Sequence, residues 1–236
     1  MLDTSSPTAV VAVVDPDVVD DAAVFAAVTL AETRRHAEAL PAAVDDVLAR
    51  ADVDVGALAG IGVGTGPGSF IGVRTGLAYA KGLGRAVDRP VVGVPSLTAW
   101  ALSPTEPVPL PRGRGLVVAD ARRGERYVAT VTHADHGIVV HDDEHAVADA
   151  TFDVLDSAGG CAFVLGGTAG LAIPGDVVVV ERSGPSALGL VRALRRVDRT
   201  DARAALVPRY VRPPDAKLPA VDPARHRPPD PAEGPP

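Results

Sequence analysis

A chain of 236 residues carries 23 basic and 30 acidic side chains, a formal net charge of −7, six histidines and one cysteine. That length suits one large domain or two small lobes with a real core. The negative balance argues against a protein that grips nucleic acid through its own phosphate contacts. The single thiol, Cys161, excludes an internal disulfide and suits a reducing compartment, so a cytoplasmic location is expected. Leu2-Asp3 places an acid where a signal peptide needs basic and then apolar residues. Two uncharged stretches, Val55–Val73 and Ser157–Gly175, are broken by Gly66-Pro67-Gly68, Gly166-Gly167 and Pro174. They read as buried strands joined by tight turns, and no membrane association is expected.

In chain order, the turn-like Thr4-Ser5-Ser6-Pro7 precedes a β-branched strand run, Ala9–Val14, and a further strand lies near Val24–Thr29. The spacing of Leu40, Val44, Val47 and Leu48 predicts a helix over His36–Ala51, with Pro41 in its first turn or at its start. Ala59–Val63 reads as a buried strand, followed by a glycine-rich loop and a helix over Phe70–Ala86. Val91–Val94 is a strand, and Ser96 can cap a helix through Trp100 and Leu102. Pro104, Pro107, Pro109 and Pro111 mark residues 103–114 as an extended linker. Beyond it, strands are expected at Leu116–Ala119, Tyr127–Thr132, Ile138–His141, Phe163–Leu165 and Val177–Val180, and Ser186 can cap a helix to about Val197. Residues 213–236 hold nine prolines and little apolar content, which predicts a disordered tail. The whole reads as α/β with mixed sheets flanked by helices: a first lobe over 1–102, a second over 115–212, and the two built on one plan.

The sharpest local signal is Gly64–Arg74, a glycine loop between strand and helix. Such loops can cradle phosphate on a helix N-terminus, but the spacing fits neither a P-loop nor a dinucleotide fingerprint nor a nucleophile elbow. A tight turn capped by Ser69 is the simpler reading. Along the following helix Gly72, Gly76, Ala80 and Gly84 recur every fourth residue. Three glycines on one face, each costing about 1 kcal/mol relative to Ala, imply another backbone close by, either the lobe's own sheet or another subunit. Asp3 and Asp120 each stand at a strand–turn junction, where related folds hold a metal or its waters, but Ser5 stands where close phosphate approach would need glycine. His133, His136, His141 and His145 cluster with Asp135, Asp142 and Asp143. They read as a polar strand pair with its loop, and no bound metal is expected.

Together, Leu2-Asp3-Thr4-Ser5, His36–Pro41, Gly66–Arg74 with Ala80-Lys81-Gly82-Leu83, Gly93–Leu97, Asp120–Arg123 with Tyr127, and Pro208–Arg212 resemble the TsaB (YeaZ) family up to about residue 215. The resemblance implies a two-lobed actin-like, RNase H-like fold. It also implies an accessory subunit without catalysis of its own, in the machinery that places threonylcarbamoyl on the adenosine beside the anticodon of tRNAs reading ANN codons. That family pairs with the catalytic subunit TsaD through first-lobe helices and can meet a second copy of itself on the same surface. A TsaE-type ATPase joins the pair, and tRNA is reached only through the complex. The family lacks the metal-binding His pair of TsaD, and the matching helix here carries only His36.

On this resemblance the partner contact is expected on His36, Leu40, Val44 and Val47 of the first helix and on Phe70, Gly72, Val73, Gly76, Leu77, Ala80 and Lys81 of the second. No cofactor is expected. The chain departs from the family at Ile71, where threonine is usual, and in a first strand that begins almost on Asp3. A second reading, an actin-like kinase or ATPase, would bind nucleotide through Asp3, Gly66, Gly68, Ser69 and Asp120.

Overall fold

A computed structural model describes residues 1–18, 21–31, 36–154, 160–197 and 206–211, so the expected disordered tail over 213–236 lies outside the described residues. The first sheet contains β1 (Leu2–Asp3), β2 (Thr8–Val14), β3 (Val24–Ala31), β4 (Ile61–Gly64) and β5 (Val91–Val94), in the order β3-β2-β1-β4-β5. Helix α1 (His36–Ala51) follows β3, α2 (Phe70–Ala86) follows β4 and α3 (Ser96–Ala101) follows β5. The second sheet holds β6 (Gly113–Arg122), β7 (Glu125–Ala134), β8 (Gly137–Val140), β9 (His145–Ala148), β10 (Phe163–Gly166) and β11 (Val178–Glu181), and α4 (Ala187–Leu194) follows it.

Read from the far edge, the second sheet runs β8-β7-β6-β10-β11, with β9 also paired to β7. In each sheet three antiparallel strands are followed by two parallel ones, so the second half repeats the plan of the first. The mixed α/β architecture is the one the sequence predicts.

Local chemistry explains most of the boundaries. Ser69 caps α2 by accepting from the Gly72 amide, and Ser186 does the same for α4 from Gly189. Three expectations need correction. Pro41 lies inside α1, past its first turn, with its ring exposed to solvent. Ser96 does not cap α3: the helix starts on it, Pro95 occupies the cap position, and the Ser96 hydroxyl bonds elsewhere. The 103–114 linker is shorter than expected, because β6 begins at Gly113 and continues to Arg122.

The core divides by face. Leu40, Val44, Val47 and Leu48 of α1 join Val73, Leu77 and Ala80 of α2 against Leu2, Val11, Ile61 and Val63 on one face of the first sheet. Between the sheets, the last helix of each half crosses to the other. Helix α4 brings Leu190 and Leu194 to Val10, Val92 and Val94, while α3 turns Leu97 and Trp100 toward Val117, Val131, Phe163 and Leu165. The sequence places α4 within the second lobe; in space it packs on the first.

The small-residue ridge of α2 faces its own lobe. A Cβ at Gly72 would lie 2.0 Å from the Thr4 carbonyl oxygen, and one at Gly76 2.4 Å from Thr4 Oγ1. One at Gly84 would stand 2.9 Å from the Arg89 carbonyl oxygen. Thr4 Oγ1 seals the approach by donating to Gly72 O at 2.7 Å. His36, Leu40, Val44, Val47, Gly72, Val73, Gly76, Leu77 and Ala80 are therefore buried inside the lobe and cannot form the outer partner contact placed on them. Phe70 and Lys81 are exposed, as are Ile71, Arg74, Ala78, Gly82 and Arg85.

Gly76→Leu should destabilise the fold by more than about 3 kcal/mol, because the added side chain overpacks the contact with Thr4 and Leu2. Gly82 has open space at its Cβ position, so Gly82→Ala should raise stability by up to about 1 kcal/mol. Urea unfolding of the two variants beside the parent checks both.

Candidate functional site

The C-terminal end of β1 places Asp3 at the centre of the first lobe, fully buried. Its Oδ1 accepts from the Ser5 amide at 2.8 Å and the Ser5 hydroxyl at 2.6 Å, and its Oδ2 accepts from the Ser96 hydroxyl at 2.6 Å. Ser96 Oγ in turn accepts from the Gly66 amide at 3.0 Å. One carboxylate thereby fixes the β1–β2 turn, the start of α3 and the glycine loop. Gly64 is obligatory here, since a Cβ would fall 1.8 Å from Asp3 Oδ2. Burial raises the Asp3 pKa, opposed by its bonds to Ser5 and Ser96 and by nearby His36. His36 is itself buried, which lowers its pKa against the pull of its bond to the Pro7 carbonyl and of Asp3.

The glycine loop is similarly closed on itself. Gly68 sits against the Ser5 carbonyl, where a Cβ would approach to 2.3 Å, and the Ser69 amide donates to that same oxygen at 2.6 Å. Ser96 N donates to Gly66 O at 2.9 Å. Across from this loop, the β6–β7 turn carries Arg122 and Arg123 in left-handed backbone (φ 65° and 58°), ahead of Gly124. Asp120 steadies that turn: its Oδ1 accepts from the Arg122 amide at 2.7 Å, and its Oδ2 lies 3.4 Å from the Arg122 guanidinium.

The two turns face each other across a cleft of about 740 Å³. Ser5, Gly68, Ser69 and Phe70 line one wall and Asp120, Arg122, Arg123 and Tyr127 the other. The Tyr127 hydroxyl spans it to Gly68 O at 3.4 Å. The cleft gathers Gly68, Ser69 and Asp120 of the nucleotide reading, while Asp3 lies behind the loop with both oxygens engaged. Asp120 thus faces the cleft, whereas Asp3 is not presented to a ligand in the way a metal–nucleotide centre requires.

A segment that motif reasoning did not connect to this loop lies over it. The amide of Arg209 donates to Thr65 O at 2.8 Å, and the Tyr210 ring stacks on Phe70 with centroids 5.6 Å apart. Arg74 lies 3.8 Å over Phe70 and donates through Nε to the Tyr210 hydroxyl at 2.7 Å. The Arg209 side chain reaches the second half, with Nε 3.0 Å from Glu144 Oε2 and Nη2 3.1 Å from Asp142. Burial pushes the Glu144 carboxyl upward, with Arg209 opposing. The only sequence signal for this strap is Pro208–Arg212, which enters as part of the family pattern and carries no local chemistry of its own.

The histidine cluster disperses. His133 Nδ1 bonds the Pro111 carbonyl, His141 Nε2 the Thr132 hydroxyl and His145 Nδ1 the Asp143 carbonyl. Among the described residues no group of three or more His, Cys, Asp or Glu is placed to hold a metal ion. Cys161 is buried, its thiol pushed up by burial and directed at the Phe163 carbonyl, as for a core residue. Also among the described residues, no helix is long and apolar enough to cross a membrane.

Asp3→Ala should cost about 2–4 kcal/mol by leaving the Ser5 amide and two hydroxyls without their acceptor, whereas Asp3→Asn keeps an acceptor and should fold. Because folding raises the Asp3 pKa, its contribution is fully present below the unfolded value near 4 and is lost as pH rises through the folded value. Unfolding midpoints measured from pH 4 upward should therefore fall more steeply in the parent than in Asp3→Asn.

Similarity to known proteins follows this geometry. The family model described as TsaD, tRNA N6-adenosine threonylcarbamoyltransferase, matches residues 24–160. An uncharacterized protein of Mycobacterium tuberculosis is 35% identical over 220 residues, covering 93% of this chain and 94% of that protein. The tRNA threonylcarbamoyladenosine biosynthesis protein TsaB of Haemophilus influenzae is 35% identical over 99 residues, 42% of this chain and 41% of that one. Its Escherichia coli counterpart is 31% identical over 119 residues, 48% of each chain. Among solved structures, a Pseudomonas aeruginosa protein described as similar to peptidase YeaZ superposes with a TM-score of 0.70 at 26% identity, covering 89% of this chain and 97% of that one. YeaZ from the same organism gives 0.65 at the same identity and coverage. With a family match over more than half its length and the two-sheet YeaZ architecture, the chain belongs to the TsaD family, in its TsaB (YeaZ) branch.

Proposed function

We propose that this chain is an accessory subunit of the tRNA threonylcarbamoyladenosine-forming machinery, and that it docks a TsaD-type catalytic subunit on the outward face of α1 and α2. The observation that carries the reading is the composition of that face. Along α1 it presents Glu38, Ala42, Asp45 and Ala49; along α2 it presents Ile71, Ala78, Gly82 and Arg85, all exposed. Small residues at helical spacing allow another helix to approach closely, and Gly82 has no neighbour within its own fold that calls for glycine. Ile71 and Phe70 add exposed apolar area at the end of the seam, next to Arg74, a composition typical of interface centres.

In this reading the chain performs no chemistry alone and holds no nucleotide. Asp3 acts as a structural pin, and the glycine loop is a turn closed by the strap. The complex acts on tRNA, with the phosphate contacts supplied by partners, which suits a subunit of net charge −7. A TsaE-type ATPase would join the assembled pair, a second copy of the chain can compete for the same helices, and the complex works in the cytoplasm.

The test is co-purification with the TsaD-type transferase of the same organism. The parent should form a complex on gel filtration, and Ala78→Arg should lose it while keeping the parent's unfolding midpoint, since position 78 is exposed and arginine is a good helix former. A complex undisturbed by Ala78→Arg would remove the interface assignment. No complex with the parent would remove the function.

A further inference from the structure

The cleft between the two halves has a lining that the proposed function does not use. The chain holds one tryptophan, three tyrosines and four phenylalanines. Half of these aromatic residues, Phe70, Trp100, Tyr127 and Tyr210, line this one cleft. Phe70 and Tyr210 remain about half exposed although they stack on each other. Rings gathered at the mouth of a cleft and left in water mark a binding surface.

The same cleft inverts the charge of the chain. Arg74, Arg122, Arg123 and Arg209 line it against a single carboxylate, Asp120, in a protein of net charge −7. Arg122 and Arg123 hold their places at the cost of left-handed backbone, a region that side chains disfavour. Aromatic faces beside guanidiniums suit a peptide that is apolar along its length and carries an acid.

We infer that this cleft is the docking site of the chain's own proline-rich tail, through Arg227-Pro228-Pro229-Asp230-Pro231. The described residues end at Val211, next to Tyr210 and so at the rim of the cleft, with residues 212–236 still to follow. Those residues hold nine prolines and carry Arg-Pro-Pro-Asp twice, at 212–215 and at 227–230. Proline rings pack flat on aromatic side chains, and the fixed φ of a Pro-Pro step lowers the entropy lost on docking. Asp230 supplies the acid for the guanidiniums of Arg122 and Arg123. The first copy of the repeat adjoins the strap, which itself forms part of the wall, so it is held at the rim. The second follows 15 further residues, 212–226, a length that spans about 20 Å on average and lets it return to the cleft. That tether holds it there at an effective concentration of about millimolar. The docking leaves the α1–α2 seam open and stands independently of the function proposed above.

The test is energy transfer in the full-length chain, from Trp100, its one tryptophan, to a dansyl group on Ala232→Cys, with Cys161 buried. Transfer should not change with protein concentration. Pro228→Ser with Pro229→Ser, or Asp230→Arg alone, should lower it by about half or more. Arg123→Glu should lower it likewise, and Arg123→Glu combined with Asp230→Arg should restore it. Pro213→Ser with Pro214→Ser should leave it unchanged. A free peptide of residues 224–233 at about millimolar concentration should displace the tail and lower transfer. Circular dichroism verifies that Arg123→Glu folds, and if it does not, the tail variants and the peptide decide. Transfer indifferent to the Pro228, Pro229 and Asp230 changes, transfer lost with the Pro213 and Pro214 pair, or transfer that falls on dilution, as for a tail seated in a second copy, overturns the proposal.

Discussion

One buried carboxylate organises the first half of the molecule. A carboxyl taken out of water must find hydrogen-bond partners, and Asp3 finds them by drawing Ser5 and Ser96 to itself, with the glycine loop held through Ser96. The consequences radiate outward: Ser5 is turned back, Ser96 is taken from its helix, and Gly64 is denied a side chain. The glycine loop is held by the same Ser96 hydroxyl and by the Ser5 carbonyl. The loops are thereby brought together with their polar groups bonded to one another.

Helix and strand identities were legible in the sequence because they rest on local pattern. The helices over 36–51 and 70–86 follow from apolar spacing and the Ser69 cap, and the glycine ridge correctly signals close backbone approach. What the ridge approaches is not a local matter. Gly72 and Gly76 meet Thr4, nearly seventy residues away in sequence, and no periodicity distinguishes that neighbour from a foreign helix. The same limit applies to Ser96. It has the composition of a helix cap, but the acid it serves lies 93 residues upstream.

The strap over the loop shows a different blindness. Arg209 and Tyr210 sit in a short described stretch, 206–211, too brief to carry a helical or strand period, so pattern gives them no role. In space they stack on Phe70, accept from Arg74 and reach Glu144, linking the loop of one half to the acidic turn of the other. The outward face of α1 and α2 is hard to read for the opposite reason. Its members, Ala42, Ala78 and Gly82, are defined by what they lack, and become visible only once the buried face of each helix is known.

The crossing of α3 and α4 between the sheets has a mechanical consequence. In a two-lobed protein whose halves meet only at a linker, rotation about that linker opens a mouth for substrate. Here a rotation about the segment before β6 would have to pull Leu97 and Trp100 out of one core and Leu190 and Leu194 out of the other. The Arg182 and Arg192 guanidiniums, bonded to the carbonyls of Ser103 and Leu102 at the end of α3, resist the same motion. Opening the cleft by such a rotation would therefore cost the burial of four large side chains and the bonds of two arginines at once.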